Sequence, residues 1–167
     1  GKTLHLSALM KNKGQIIALD IYEWKLAELK RRAKRAGAHN IETRFIEDNK
    51  VIKRLHEKAD RLLIDAPCSG LGVLKRNPDS KWKIDQDFID RIKNEQQQIL
   101  QDYSKMLKKG GKMVYATCSI LPSENNEQVE TFLKNNEGFT LLKEEKVMPS
   151  DGFDGFYWQV CFVIQRL

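Results

Sequence analysis

No apolar run in this chain approaches the roughly 20 residues that a membrane helix needs. The opening, Gly1-Lys2-Thr3-Leu4-His5, also lacks the charged-then-apolar layout of a secretion signal. The expectation is a soluble, cytoplasmic protein. Cysteine is scarce: Cys68, Cys118 and Cys161 are an odd number with no C-x-x-C pair, which points to neither a disulfide framework nor a cysteine zinc site. His5, His39 and His56 have no ligand-like grouping, so no metal is expected. Internal repeats, low-complexity tracts and Pro/Ser-rich linkers are missing too. The 167 residues are enough for one core but not for two, so a single domain over 1–167 is expected. What is abundant is charge, with 29 basic and 23 acidic side chains and a net +6. Residues 1–112 hold 25 basic and 15 acidic groups, and 113–167 hold 4 and 8. That asymmetry suits a polyanion bound on one face, and equally a solvated basic surface.

Apolar runs and helical stripes alternate. Residues 15–19 and 61–64 are short apolar runs closed by Asp20 and Asp65, and 112–116 make a third after Gly110-Gly111. All three read as buried strands, with a further strand at 41–46. Between them, 22–36 place Trp24, Ala27, Leu29, Ala33 and Ala36 at helical spacing, with Gly37 as a C-cap. Residues 88–107 carry a stripe of Phe88, Ile92, Ile99, Tyr103, Met106 and Leu107, and Ser123 opens a helix to about Asn135. Strands separated by helices mean parallel βαβ units, hence an α/β doubly wound sheet. Residues 139–142 and 155–164 are late strands with no long helix between them, expected to pair antiparallel at one edge. Cys161, in the second of these, reads as core.

Gly1-Lys2-Thr3 followed by Leu4, Leu6, Ala8, Leu9 and Met10 reads as the end of a Gly-rich loop entering a helix, without the strand that should precede it. The expectation is therefore an N-terminally truncated sheet, part of a longer polypeptide, binding its cofactor weakly by itself. Asp65-Ala66-Pro67-Cys68-Ser69-Gly70 lies where a strand ends at the ligand-binding edge of such a sheet, and Pro67 stiffens the loop. Thr117-Cys118-Ser119 follows the next strand at the same edge. One isolated Cys is usually a small buried hydrophobe. Two, each just beyond the end of a neighbouring strand and beside Asp65, should share a cleft.

Asp65 to Gly70 with Leu71-Gly72-Val73, the segment Arg76-Asn77-Pro78-Asp79-Ser80-Lys81-Trp82, the run Tyr115-Ala116-Thr117-Cys118-Ser119-Ile120-Leu121-Pro122-Ser123-Glu124-Asn125, and Asp151-Gly152-Phe153-Asp154-Gly155-Phe156-Tyr157 occur in order along nearly the whole chain. Together they resemble the Sun/Fmu family of S-adenosylmethionine-dependent RNA cytosine-C5 methyltransferases. The resemblance implies a Rossmann-like methyltransferase sheet, mostly parallel with an antiparallel C-terminal edge hairpin. It also implies S-adenosyl-L-methionine as cofactor and RNA as partner, ribosomal RNA before tRNA, with the chain a monomer.

The chemistry explains the residue types. C5 of cytosine is a poor nucleophile, so a thiolate first adds to C6 and pushes electron density onto C5. The residues alone leave open which thiol does this. The resemblance assigns the nucleophile to Cys118 and product release to Cys68, with Asp65 hydrogen-bonding the base edge as N3 is protonated. A carboxylate such as Asp20, 19 residues after Gly1, can accept from both ribose hydroxyls of a nucleotide. The family carries that role here, and it places Asp48 near the adenine ring and Lys2 in the cofactor loop with Gly1; Asp65 and Pro67 also border the cofactor. Lys75-Arg76 through Lys81-Trp82-Lys83 combines phosphate-seeking charge with a ring that could stack or pack. The basic helix face of Lys30, Arg31, Arg32, Lys34 and Arg35 reads as solvated surface before a phosphate-contacting patch. An amino-methyltransferase is the competing enzyme class, and its chemistry needs no thiol; an RNA-binding fragment inactive by itself is the non-enzymatic one.

Overall fold

The computed structural model describes residues 1–163, with the side chains of Lys83 and 158–163 left aside. The expected core side chain of Cys161 and the expected strand residue Ile164 lie outside the described residues. The chain divides into two compact units, Gly1–Arg54 and Leu55 onward.

In the first unit, α1 (Lys2–Leu9) leads to β1 (Ile16–Asp20), α2 (Glu23–Arg35), β2 (Ile41–Phe45) and α3 (Asn49–Arg54). β1 and β2 pair in parallel with Ile16 opposite Ile41 and Asp20 opposite Phe45, the βαβ unit that the alternation anticipates. Buried Ser7 of α1 donates to Asn40 Oδ1 at 2.6 Å, and Asn40 Nδ2 donates to the Lys13 carbonyl, so α1 is tied to the start of β2. In α2 the buried stripe runs through Leu26 and Ala33, not through Trp24, which is 67% exposed. The reason is local: Lys25 Nζ sits 4.4 Å from the Tyr22 ring and 5.7 Å from the Trp24 ring, an exposed aromatic pair at the helix start satisfied by a cation. Gly37 ends the helix in the left-handed region, at φ 63°.

The second unit contains β3 (Ala59–Asp65), α4 (Ser80–Lys83), α5 (Gln86–Tyr103), β4 (Leu107–Thr117), α6 (Asn126–Asn135), β5 (Phe139–Val147) and β6 (Phe156–Val163). Its sheet has the order β3-β4-β6-β5: β3 and β4 are parallel, and the β5–β6 hairpin joins antiparallel through β6. Mostly parallel strands with an antiparallel edge hairpin are thus present, held in two hydrogen-bonded sheets. Among the described residues β3 is paired on one side only, as is β1.

Three boundaries depart from the pattern. Leu107 is not the last residue of a helix but pairs with Ala59, because Gly110, at φ 76°, and Gly111 fall within an irregular stretch of β4 instead of before it. β5 is longer than the apolar run 139–142, with Leu142 exposed on it, since backbone pairing to β6 carries it through charged residues. Ser123 does not cap a helix: Pro122–Glu124 is a 3-10 turn that points Glu124 inward, and α6 begins at Asn126. The core of this unit joins Ile64 of β3, Met113 and Tyr115 of β4, Leu100 of α5, Val129 and Phe132 of α6, and Tyr157 of β6. Phe132 meets Phe139 edge to face at 4.9 Å.

Candidate catalytic site

Parallel pairing aligns Asp65 with Ala116, so the loops after β3 and β4 leave the sheet side by side. The Ala66 amide continues the ladder past the strand end, donating to the Ala116 carbonyl at 2.9 Å. Two residues later on each strand the thiols meet: Cys68 Sγ and Cys118 Sγ are 3.3 Å apart, both half-buried. The hydrogen bond with Cys118, then burial, then the negative charge Cys118 would carry push the Cys68 thiol well above the usual cysteine range. Asp65 closes β3 with its side chain exposed, and Pro67 directs its carbonyl to Gln96 Nε2 at 2.9 Å.

A third loop completes the arrangement. The Gly72 amide donates to the Cys118 carbonyl at 2.9 Å, and the Gly155 amide donates to the Gly72 carbonyl at 2.7 Å. Neither glycine has room for a side chain: a Cβ on Gly72 would stand 2.1 Å from the Gly155 oxygen, and one on Gly155 2.5 Å from Ile120 Cγ2. Gly70, at φ 72°, supplies the left-handed turn that brings the 3-10 turn Leu71–Val73 back over Cys118.

Behind the thiols lies a polar layer that sequence reasoning missed. Glu124 is fully buried; its carboxylate accepts from the Ser69 amide at 2.7 Å, the Ser69 and Ser119 hydroxyls, and Gln96 Nε2 at 3.1 Å. Asn125, also fully buried, accepts from Thr117 Oγ1 and donates to the Ser119 carbonyl at 2.9 Å. Tyr115 donates from its hydroxyl to the Glu124 carbonyl at 2.9 Å, and burial above all, with the charges of Cys68 and Glu124, pushes its phenol up. One signal was available: Gln96 falls in helical register with buried Ile89, Ile92 and Leu100, a polar residue on an apolar stripe.

The expected cofactor residues divide. Asp65 and Pro67 belong to the loop just described. Gly1, Lys2, Asp20 and Asp48 belong to the first unit, where Gly1 caps α1 and Lys2 is its first residue. Asp20 ends β1 half-buried, accepting from the Tyr22 amide at 2.9 Å with Lys25 Nζ 4.0 Å away. Asp48 follows the paired strand β2 and is exposed, accepting from the Lys50 amide at 2.8 Å. Both acids thus stand at the carboxyl ends of β1 and β2, the edge at which open α/β sheets take ligands. Trp82 is 80% exposed with Lys81 Nζ 4.8 Å from its ring, a surface ring and not a packing anchor. Among the described residues no group of three or more His, Cys, Asp or Glu could hold a metal, and no helix is long and apolar enough to cross a membrane.

Known proteins are similar to this chain in sequence and in fold. The family model described as 16S rRNA methyltransferase RsmB/F matches residues 1–155. A probable ribosomal RNA small subunit methyltransferase B of Bacillus subtilis (strain 168) is 37% identical over 151 residues, covering 89% of this chain and 34% of that protein. The ribosomal RNA small subunit methyltransferase B of Yersinia enterocolitica is 37% identical over 169 residues, covering 95% and 38%. The chain therefore spans between a third and two fifths of these relatives. Among solved structures, NSun6 from Pyrococcus horikoshii with SFG is similar at TM-score 0.87 and 27% identity over 99% of this chain and 46% of that one. A methyltransferase homolog protein from the same organism is similar at 0.85 and 26% over 98% and 58%.

Proposed function

The chain belongs to the RsmB/F family of 16S rRNA methyltransferases, and on that premise we propose that it methylates C5 of a cytosine in RNA through a covalent adduct on Cys118. The observation that carries the reading is the contact of two thiols at 3.3 Å beyond neighbouring strand ends. Cys118 is the nucleophile of the pair, and Cys68, whose thiol is pushed up by the Cys118 contact and by burial, is its partner. Its thiolate adds to C6 of the cytosine. Asp65, exposed at the end of β3, hydrogen-bonds the base edge as N3 gains a proton. The electron pair moves to C5, which takes a methyl group from the donor; the C5 proton then passes to solvent, its electron pair closes the C5–C6 double bond and expels the Cys118 thiolate as N3 gives up its proton, and Cys68 assists that release. The target base must be unstacked, because C6 is inaccessible in a duplex.

S-adenosyl-L-methionine is the methyl donor, and it supplies an electrophilic methyl group. SFG, found with the similar NSun6 structure, is an analogue of that donor. Asp20 suits its ribose hydroxyls and Asp48 its adenine edge, with Gly1 and Lys2 at the start of α1, and Asp65 and Pro67 bordering the methionine portion. The substrate is ribosomal RNA, as the names of the relatives favour over tRNA, and the protein works in the cytoplasm. The test is a ribosomal RNA fragment carrying 5-azacytidine. Cys118→Ala should form no covalent complex and transfer no methyl group, while Cys68→Ala should accumulate complex. Adduct formation surviving Cys118→Ala would reverse the assignment.

A further inference from the structure

The mechanism makes no use of the most deeply buried carboxylate of the second unit. Glu124 is 0% exposed, and its four donors, the Ser69 amide, the Ser69 and Ser119 hydroxyls and the Gln96 amide, are all neutral. Burying a charge without a cation is expensive, and a carboxylate held by neutral donors alone is costly to keep for packing. Its location supplies the purpose. Ser69 directly follows Cys68, and Ser119 directly follows Cys118. A single carboxylate oxygen, Oε2, accepts from both hydroxyls, which also lie 3.1 Å from one another. Gln96 links the same carboxylate to the Pro67 carbonyl, one residue before Cys68, so the Cys68 loop is gripped on both sides.

We infer that Glu124 is a positioning residue which fixes the separation of the Cys68 and Cys118 thiols by clamping the serine after each, with Gln96 as its support from α5. A carboxylate is required because every atom around it donates. Glutamine at this position would turn an NH2 toward the Ser69 amide or the serine hydroxyls, and one of the two cysteine loops would move away. The inference concerns the same thiols as the proposed methyl transfer, but its test needs no RNA.

The protein is treated with oxidised glutathione. One cysteine thiolate displaces glutathione thiolate to give a mixed disulfide, and the second displaces the bound glutathione, so two protein thiols are oxidised and one glutathione disulfide is reduced to two thiols. The ratio of the internal disulfide to the mixed disulfide, read by mass spectrometry, measures the effective concentration of one thiol at the other. Glu124→Gln should lower that ratio roughly tenfold or more, as loss of orientation lowers effective molarity. Ser69→Ala with Ser119→Ala, which keeps the carboxylate but removes both clamped hydroxyls, should do likewise. Circular dichroism and a thermal melt identify variants that remain folded. If the folded glutamine variant, or the folded serine pair should glutamine not fold, closes the internal disulfide at the wild-type ratio, the positioning role is wrong. In the RNA assay, Glu124→Gln should lower kcat for adduct formation more than it raises KM. Should no variant or wild type form an adduct, the methyl-transfer reading fails while the disulfide ratio still decides this one.

Discussion

The carbonyl of Cys118 is bound by the amide of Gly72 at 2.9 Å, across a gap into which no Cβ fits. Gly72→Ala would place a methyl group 2.1 Å from one backbone oxygen and 2.7 Å from another, and backbone cannot rotate away as a side chain can. The variant should lose about 3 kcal/mol of stability, the upper end of overpacking costs, or fail to fold. Gly138→Ala, with nothing within 4 Å of its new Cβ, should change stability little. Urea unfolding of the two variants checks the contrast.

Stability should fall in mild alkali through Cys68. The sign follows from linkage: the folded thiol titrates above the unfolded one, so its contribution is complete below the unfolded pKa of about 8.5 and is lost as pH rises from there towards the folded value. The decline is at most about 1.4 kcal/mol per pH unit for one group. Tyr115, shifted in the same direction, adds a second decline above about pH 10, where the unfolded phenol ionises. Denaturant midpoints between pH 7 and 9.5 should drop for the wild type and drop less for Cys68→Ala; equal slopes would remove Cys68 as the cause.

Tyr115→Phe deletes one hydroxyl and leaves the buried Glu124 carbonyl without that donor. The expected cost is about 1–3 kcal/mol, the desolvation penalty of an unsatisfied buried acceptor. A change below a few tenths of a kcal/mol in chemical unfolding would mean that the carbonyl finds water instead.

Asp20→Ala should weaken S-adenosyl-L-methionine binding by roughly 10- to 100-fold, the equivalent of one charge-assisted hydrogen bond. Asp48→Ala, which removes a more exposed group, should cost less. Titration calorimetry measures both, and unchanged affinity in Asp20→Ala would withdraw that residue from the ribose site.

How far the sequence could be read depended on which residues obey a periodicity. Asp65-Ala66-Pro67-Cys68 was visible because a short apolar run stops at an acid and a proline follows, and the pairing of Asp65 with Ala116 then brings Cys118 alongside. Glu124 was invisible to the same reasoning, since an acid in a sequence reads as surface and only the convergence of Ser69 and Ser119 from 50 residues apart makes its burial possible, whereas Gln96 left a trace as a polar residue on the apolar stripe of α5. Trp24 erred in the other direction, since a large ring on an apolar spacing reads as core, although the helix buries Leu26 and Ala33 and leaves the ring to Tyr22 and Lys25. Helix ends failed where a 3-10 turn intervenes, at Ser104–Met106 and Pro122–Glu124, because such turns have no periodicity of their own.

The place of β4 between β3 and β6 has a consequence for solvent exchange. Amides of β4, flanked by β3 and β6, should keep their hydrogens in deuterium longest, and those of β5, which among the described residues pairs with β6 alone, should exchange sooner.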